Sequence, residues 1–290
     1  MKSTKRASLY NVKYLVLTLT LFAFTAGTAL SQETKTVIKE GQEYKMKYNE
    51  AVELAKAKKY NEAYAAFEAA VSLAEAAGDD DVVDRSNKVL AQLDNSYGTQ
   101  AFKGGNFQQA LDHHQKGIEH LNDYAPNHYG KAKALEKLDR WDEAVVILQA
   151  VMEMGDRKSA GAAENTIRGH YTFLASSSLS ENQTQSSARS ALENLEEMLL
   201  YVEPDADTYY YQAEANKIIG NYSNAIELAD QALEAHRGSR TDKAKIYFVK
   251  GEALMYSGSS SAAAEAFNNA LYGNYKPLAQ HYLDELKGGG

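Results

Sequence analysis

The sequence predicts an all-α solenoid, built from about six helix-turn-helix repeats and closed by a final helix. Ala and Glu are frequent whereas Pro occurs only 3 times, and this composition favours helices. From about Tyr44 onward, short amphipathic stretches are separated by Gly, Asn and Asp. Six alanines recur amid similar neighbours, and self-similarity of this kind is typical of stacked repeats.

Each predicted repeat is placed by one of these anchor alanines, which lies in the second helix of its pair. A small residue stands twelve positions before each anchor, so the two helices can approach closely. Gly stands five positions before the anchor in three repeats, where it would end the first helix and form a tight turn. Side chains four and seven positions after the anchor, most of them apolar, continue one stripe of the second helix. The anchors are Ala63, Ala110, Ala144, Ala188, Ala225 and Ala263.

The anchors divide residues 44–277 into units at about 44–77, 91–124, 125–158, 169–202, 206–239 and 244–277. Two anchor spacings, of 47 and 44 residues, exceed the others. We assign the additional residues to longer first helices at about 82–104 and 157–180. Residues 278–287 are predicted to form a capping helix, because a stack of repeats needs a polar outer face at its end. Residues 288–290 are predicted to be a disordered tail.

The first 31 residues have the layout of a secretory signal peptide. Lys2, Lys5 and Arg6 precede an apolar stretch at 14–27, and small residues end at Ser31. The apolar stretch is short for a membrane span, although an uncleaved N-terminal anchor is the alternative. We expect cleavage near Ser31, an exported protein that is periplasmic or secreted, and a linker at 32–43.

The repeat pattern resembles the tetratricopeptide repeat (TPR) family, and the resemblance covers about 44–277. Segments 102–118 and 135–151 are further matches, whereas the unit at 169–202 lacks the aromatic residue and the Gly. The resemblance implies a right-handed α-solenoid whose first helices line a concave face where partner proteins bind. The clearest match is segment 243–271, with Tyr247, Gly251, Leu254, Gly258, Ala263, Phe267 and Ala270 in register.

The candidate partner-binding residues lie fifteen and eleven positions before the anchors. These two positions are four residues apart and therefore share a helix face. Five of the six residues at the first position are aromatic. They form either a ladder of rings in the groove or a set of packing residues in the core, and the sequence leaves both interpretations open. The candidates are Tyr48, Asn95, Tyr129, Lys133, Phe173, Tyr210, Glu214, Phe248 and Glu252.

Several classes of site are not expected. The sequence has no recognisable catalytic motif, so we predict a protein that is not an enzyme and has no cofactor. It has 0 Cys. His113, His114, His120 and His128 are clustered, but His114 occupies an apolar repeat position and no metal-site spacing is matched, so no metal site is predicted.

The charge of the chain argues against nucleic acid as a partner. The net charge is −8, and because residues 1–31 contribute +4, the remaining 259 residues carry −12. Two functions stay open. The first is a scaffold of the bacterial cell envelope that binds a peptide segment or partner subunit on its concave face. The second is an architectural accessory subunit of an envelope assembly or export machine, which would use its convex face or termini.

Overall fold

The computed structural model describes residues 42–288 apart from residue 182. The predicted signal peptide, residues 32–41 of the predicted linker and residues 289–290 of the predicted tail lie outside this range. Within the described range there are thirteen α-helices, one short 3₁₀ helix and no β-strand. The α-helices are α1 Glu43–Lys56, α2 Tyr60–Ala77, α3 Asp80–Lys103, α4 Phe107–His120, α5 Ala125–Lys137, α6 Trp141–Glu153, α7 Arg157–Glu181, α8 Gln185–Met198, α9 Ala206–Ile218, α10 Tyr222–Ala235, α11 Arg240–Tyr256, α12 Ser260–Asn269 and α13 Lys276–Gly288.

The helices form six consecutive pairs followed by one terminal helix, which confirms the predicted all-α solenoid. Every helix packs on the next one along the chain. From α1 to α11, each first helix of a pair also packs on the first helix of the next pair. Among the described residues, no second helix packs on another second helix to a comparable extent. The first helices are therefore the closer-spaced row, and they form the inner side of the array.

The turn inside a pair has the same backbone geometry in five of the six pairs. One residue adopts a positive φ, and the N–H after it donates to a carbonyl five residues back, for example from Lys59 to Leu54 at 2.9 Å and from Arg140 to Leu135 at 3.0 Å. This is the helix-ending motif that Gly favours. The positive-φ residues are Lys58 (62°), Gly105 (78°), Asp139 (57°), Gly220 (85°) and Gly258 (83°).

The close approach of paired helices is explained by a small residue facing a large one. A Cβ added to Gly98 of α3 would lie 2.7 Å from Nε2 of His114 on α4. A Cβ added to Gly251 of α11 would lie 2.7 Å from the ring of Phe267 on α12. Both glycines stand twelve positions before an anchor alanine, and both rings stand four positions after it. The small residue is therefore required by the ring that packs against it.

The two long first helices are observed close to their predicted bounds, as α3 and α7. At the start of α3, Asp79 accepts a hydrogen bond from the backbone N–H of Val82 at 3.2 Å and caps the helix. At the other end of the array, α13 packs on α12 through buried Ala279 and Leu283. Helix α13 continues to Gly288, so this residue is helical and does not belong to the predicted disordered tail.

Candidate partner-binding groove

Two open depressions adjoin each other along the inner row of first helices. The upstream depression, about 470 Å³, lies between α3, α5 and the start of α7. The downstream depression, about 760 Å³, lies between α5 and α7. Tyr129, Lys133 and Ala162 line both of them. We refer to the two depressions together as the groove.

Four of the nine predicted binding residues line the groove. Asn95 lies in the upstream depression, Phe173 lies in the downstream one, and Tyr129 and Lys133 are shared. The Phe173 ring is 68% exposed. The Tyr129 hydroxyl lies 3.3 Å from Oγ1 of Thr166, a hydrogen bond that joins α5 to α7. The aromatic residues of the middle repeats are thus placed where a partner could contact them.

The other three predicted rings are packed against the protein itself. Tyr48 is half-buried, with its ring centroid 5.8 Å from that of Phe67. Tyr210 is only 7% exposed, and the ammonium of Lys245 lies 4.6 Å from its centroid. Phe248, 9% exposed, belongs to an aromatic cluster at the C-terminal end of the array. In these repeats the structure agrees with the packing interpretation of the rings.

The two predicted glutamates also lie outside the groove. Glu252 is buried and forms an ion pair with Lys217 at 2.6 Å, while the Tyr282 hydroxyl donates to its Oε1 at 3.2 Å. Glu252 therefore links α9, α11 and α13. Glu214 is half-buried beside Tyr210, and burial together with this carboxylate raises the pKa of the Tyr210 hydroxyl. Both glutamates already interact within the array.

The groove contains lysines that the sequence analysis missed. Lys103 and Lys158 line the upstream depression, and Lys137 lines the downstream one. All three are exposed, and the side chains of Lys103 and Lys137 form no ion pair or hydrogen bond with another described residue, whereas Lys158 acts electrostatically on the carboxylate of Asp156. Lys133 is instead paired with Glu136. A sequence signal existed, because Lys103 and Lys137 stand seven positions before their anchors and extend the predicted binding stripe by four residues.

A buried histidine forms part of the wall of the upstream depression. His114 is 2% exposed, and its Nδ1 lies 3.3 Å from Oδ1 of Asn127. Asn127 uses its Nδ2 to donate to the carbonyl of Ala91 at 2.9 Å. Burial, opposed by the contact with Asn127, lowers the pKa of His114. The histidine is accordingly neutral near pH 7 in the free protein.

The remaining histidines of the cluster lie away from the groove. Buried Asp94 accepts a hydrogen bond from the Tyr64 hydroxyl at 2.9 Å, and His113 and His120 lie 3.4 Å and 3.7 Å from its carboxylate. His128 contacts the carbonyl of Asn122 at 2.7 Å. Over residues 42–288, with residue 182 excepted, no group of three or more His, Asp or Glu is arranged to hold a metal ion.

No protein-family model matches the sequence, and no curated protein matches it. Solved structures of other repeat proteins do. MamA from Desulfovibrio magneticus RS-1, in a form running from residue 41 to its end, is 17% identical, with a TM-score of 0.37 over 62% of this chain and 93% of that one. A tetratricopeptide repeat protein from Parabacteroides merdae ATCC 43184 is 12% identical, with a TM-score of 0.33 over 85% and 99%.

A third match is YrrB, described as a TPR protein with an unusual peptide-binding site. It is 16% identical, with a TM-score of 0.35 over 66% of this chain and 90% of that one. These solved structures do not identify the residues of the groove, which is defined by the side chains that line the two depressions. No helix of the described part of this chain combines the length and apolar character that a membrane crossing needs.

Proposed function

We propose that this protein is a non-enzymatic scaffold that binds a peptide segment or a partner subunit in the groove on its inner face. One observation carries the proposal. The Phe173 ring, 68% exposed, projects from the inner helix row into an open depression. A large ring left open in a concave site favours a partner, because aromatic side chains give much contact area for little loss of conformational entropy.

The shape of the groove favours an extended or helical segment over a small molecule. The depressions adjoin, share Tyr129 and Lys133, and run across three successive first helices. Polar side chains beside the rings, among them Asn95, Asn165 and Thr166, offer hydrogen bonds that fix the register of a bound chain. Such a site suits recognition of one stretch of another protein.

We place this scaffold in the bacterial cell envelope, either in the periplasm or outside the cell. The support for this location is the leader-like pattern of residues 1–31, which lie outside the described structure. The negative charge of the chain accords with a protein partner rather than a nucleic acid.

The alternative is an architectural subunit that uses the outer helix row. Val146 on α6 is 63% exposed, and Leu200, just after α8, is 74% exposed. Exposed apolar side chains on a second helix or just after one, away from the groove, favour contacts of this kind. The two functions differ in which face touches the partner.

A pair of matched photo-crosslinking variants tests the proposal. A photoreactive phenylalanine analogue replaces Phe173 in one full-length variant and Val146 in the other, and both are irradiated in cells of the source organism. Both sites carry an exposed apolar side chain, but on opposite helix rows. The groove proposal expects a protein adduct at Phe173 that Tyr129→Ala weakens. Adducts at Val146 alone would reject it and support the architectural role.

A further inference from the structure

We propose that the upstream depression binds a carboxylate group of an acidic segment, and that His114 takes up a proton when the segment binds. The inference rests on the proposed function, because it specifies the chemistry of the partner in the same groove. Three features of the upstream depression support it: the lysines that line it, the edge of the buried His114 imidazole, and the groups that face this imidazole.

The lysines give the upstream depression a positive character within a negatively charged protein. Lys103, Lys133 and Lys158 line it, against a single acidic residue, Asp156. Asp156 is engaged as the cap of α7, where its Oδ2 accepts a hydrogen bond from the Ser159 N–H at 2.9 Å. Lys103 has no acidic partner among the described residues, whereas Lys158 acts electrostatically on the neighbouring carboxylate of Asp156. A carboxylate is the ligand that complements them.

The contacts of Asn127 determine which ring nitrogen of His114 is available. Its amide nitrogen donates to Ala91, so its Oδ1 must accept from Nδ1 of His114. Nε2 therefore carries no proton in the neutral ring. This edge of the ring lies between Gly98 and Gly130, where an added Cβ would come within 2.7 Å and 2.3 Å of Nε2. Because both positions are glycine, no side chain covers Nε2 at these points.

Protonation of His114 preserves this arrangement and adds a donor. Nδ1–H continues to donate to Asn127, while Nε2–H becomes available to a carboxylate in the depression. The groups that act on His114 from the packed helices are Asp94 from α3, His113 from α4 itself and Asn127 from α5. None of them contacts Nε2. A bound carboxylate would favour the charged ring, so binding should strengthen as the pH falls from about 7.5 to 5.5.

The probe is an array of end-blocked octapeptides, each with four glutamates and one phenylalanine or leucine at a varied position. A matched array has glutamine in place of glutamate, and a third set has glutamine with a free C-terminal carboxylate. The third set distinguishes side-chain from terminal carboxylates. Glutamate stays ionised above about pH 5.5, so a loss of ligand charge would weaken binding at low pH, opposite to the expected trend.

We expect the full chain to bind glutamate or free-carboxylate peptides more tightly than the blocked glutamine set. The affinity should rise up to about tenfold from pH 7.5 to 5.5. This is the change expected if peptide binding raises the pKa of His114 by about one unit. Calorimetry at pH 6.5 in two buffers of different ionisation enthalpy should record net proton uptake. Lys103→Gln with Lys158→Gln should weaken binding about fivefold or more, on the scale of two charge contacts.

Two variants control for charge and for the histidine. Lys116→Gln with Lys276→Gln makes the same change of net charge at exposed lysines outside the groove, and it should leave binding unchanged. His114→Phe should keep the fold, since Phe67 and Phe267 occupy the equivalent repeat position. It should retain the preference for acidic peptides and lose both the proton uptake and the rise at low pH.

Equal binding of acidic and glutamine peptides would overturn the inference, and so would a pH profile that His114→Phe leaves intact. If peptides bind without regard to their charge, and Phe173→Ala abolishes their binding, the proposed function stands and only the inference fails. If no peptide binds and no crosslink forms at Phe173, both fail. Circular dichroism confirms that each variant is folded before binding is measured.

Discussion

Glycines set the distance between the paired helices, residue by residue. Gly98 leaves just enough room for the His114 ring. We expect Gly98→Ala to lower the free energy of unfolding by about 1–3 kcal/mol, because the added methyl group overpacks the contact. Gly161→Ala in α7 is the control, as a Cβ there has no neighbour within 4 Å. It should stabilise by about 0.5–1 kcal/mol through helix propensity. Urea denaturation measures the free energy of unfolding of both variants. Equal changes in the two would contradict the packing argument.

Asp94 organises a polar cluster that joins α2, α3 and α4. Its carboxylate is 1% exposed and receives the Tyr64 hydroxyl, with His113 and His120 close by. Asp94→Ala should lower the free energy of unfolding by about 1–3 kcal/mol, since it leaves these partly buried polar groups without their acceptor. Asp112→Ala on α4 removes an exposed carboxylate and should change stability by less than about 0.5 kcal/mol. Thermal unfolding of the two variants measures the difference. Similar shifts in Tm would mean that the Asp94 cluster does not contribute to stability.

At the scale of the elements, substitutions in the repeated turn are expected to increase the stability of the protein. Lys58 and Asp139 adopt positive φ angles that side chains disfavour, in turns where the equivalent residue is elsewhere Gly105, Gly220 or Gly258. Lys58→Gly and Asp139→Gly should each stabilise by about 1 kcal/mol, because they relieve this strain.

The reverse change supplies the control for these turn variants. Gly220→Ala should destabilise by about 1 kcal/mol, since it creates the strain that Lys58 and Asp139 now bear. Chemical denaturation of the three variants checks the signs. If Lys58→Gly and Gly220→Ala shifted the midpoint in the same direction, turn conformation would not determine their stability.

The helix pairs could be predicted from sequence because their determinants are local. A small residue, a turn and an anchor alanine recur within about 13 residues of one another, and this spacing fixes α1 to α12. The turns at Lys58 and Asp139 were harder to predict, since neither residue type marks a positive φ. Their conformation is imposed by the hydrogen bond from the following N–H to a carbonyl five residues back.

On the scale of the whole molecule, the fate of each predicted ring depends on what packs over it. The ring of Tyr210 is covered by Lys245 of the next repeat. The ring of Phe248 is covered by Tyr275 and Tyr282, which follow α12. Phe173 has the same repeat position but remains 68% exposed. The position within the repeat was therefore predictable, whereas the covering residues were not, because they come from the next repeat for Tyr210 and from the segment after α12 for Phe248.

The terminal helix α13 should stabilise the repeats next to it rather than the array as a whole. Tyr282 stacks on Phe267 with centroids 5.0 Å apart and donates to Glu252, which pairs with Lys217. In a solenoid each repeat contacts only its neighbours, so a lost cap acts locally. A chain that ends at residue 275 should show faster amide hydrogen exchange in α11 and α12 and unchanged exchange in α1 and α2. Tyr282→Phe, which keeps the stacked ring, should give a smaller effect. Uniformly faster exchange along the chain would instead identify the array as a single cooperative unit.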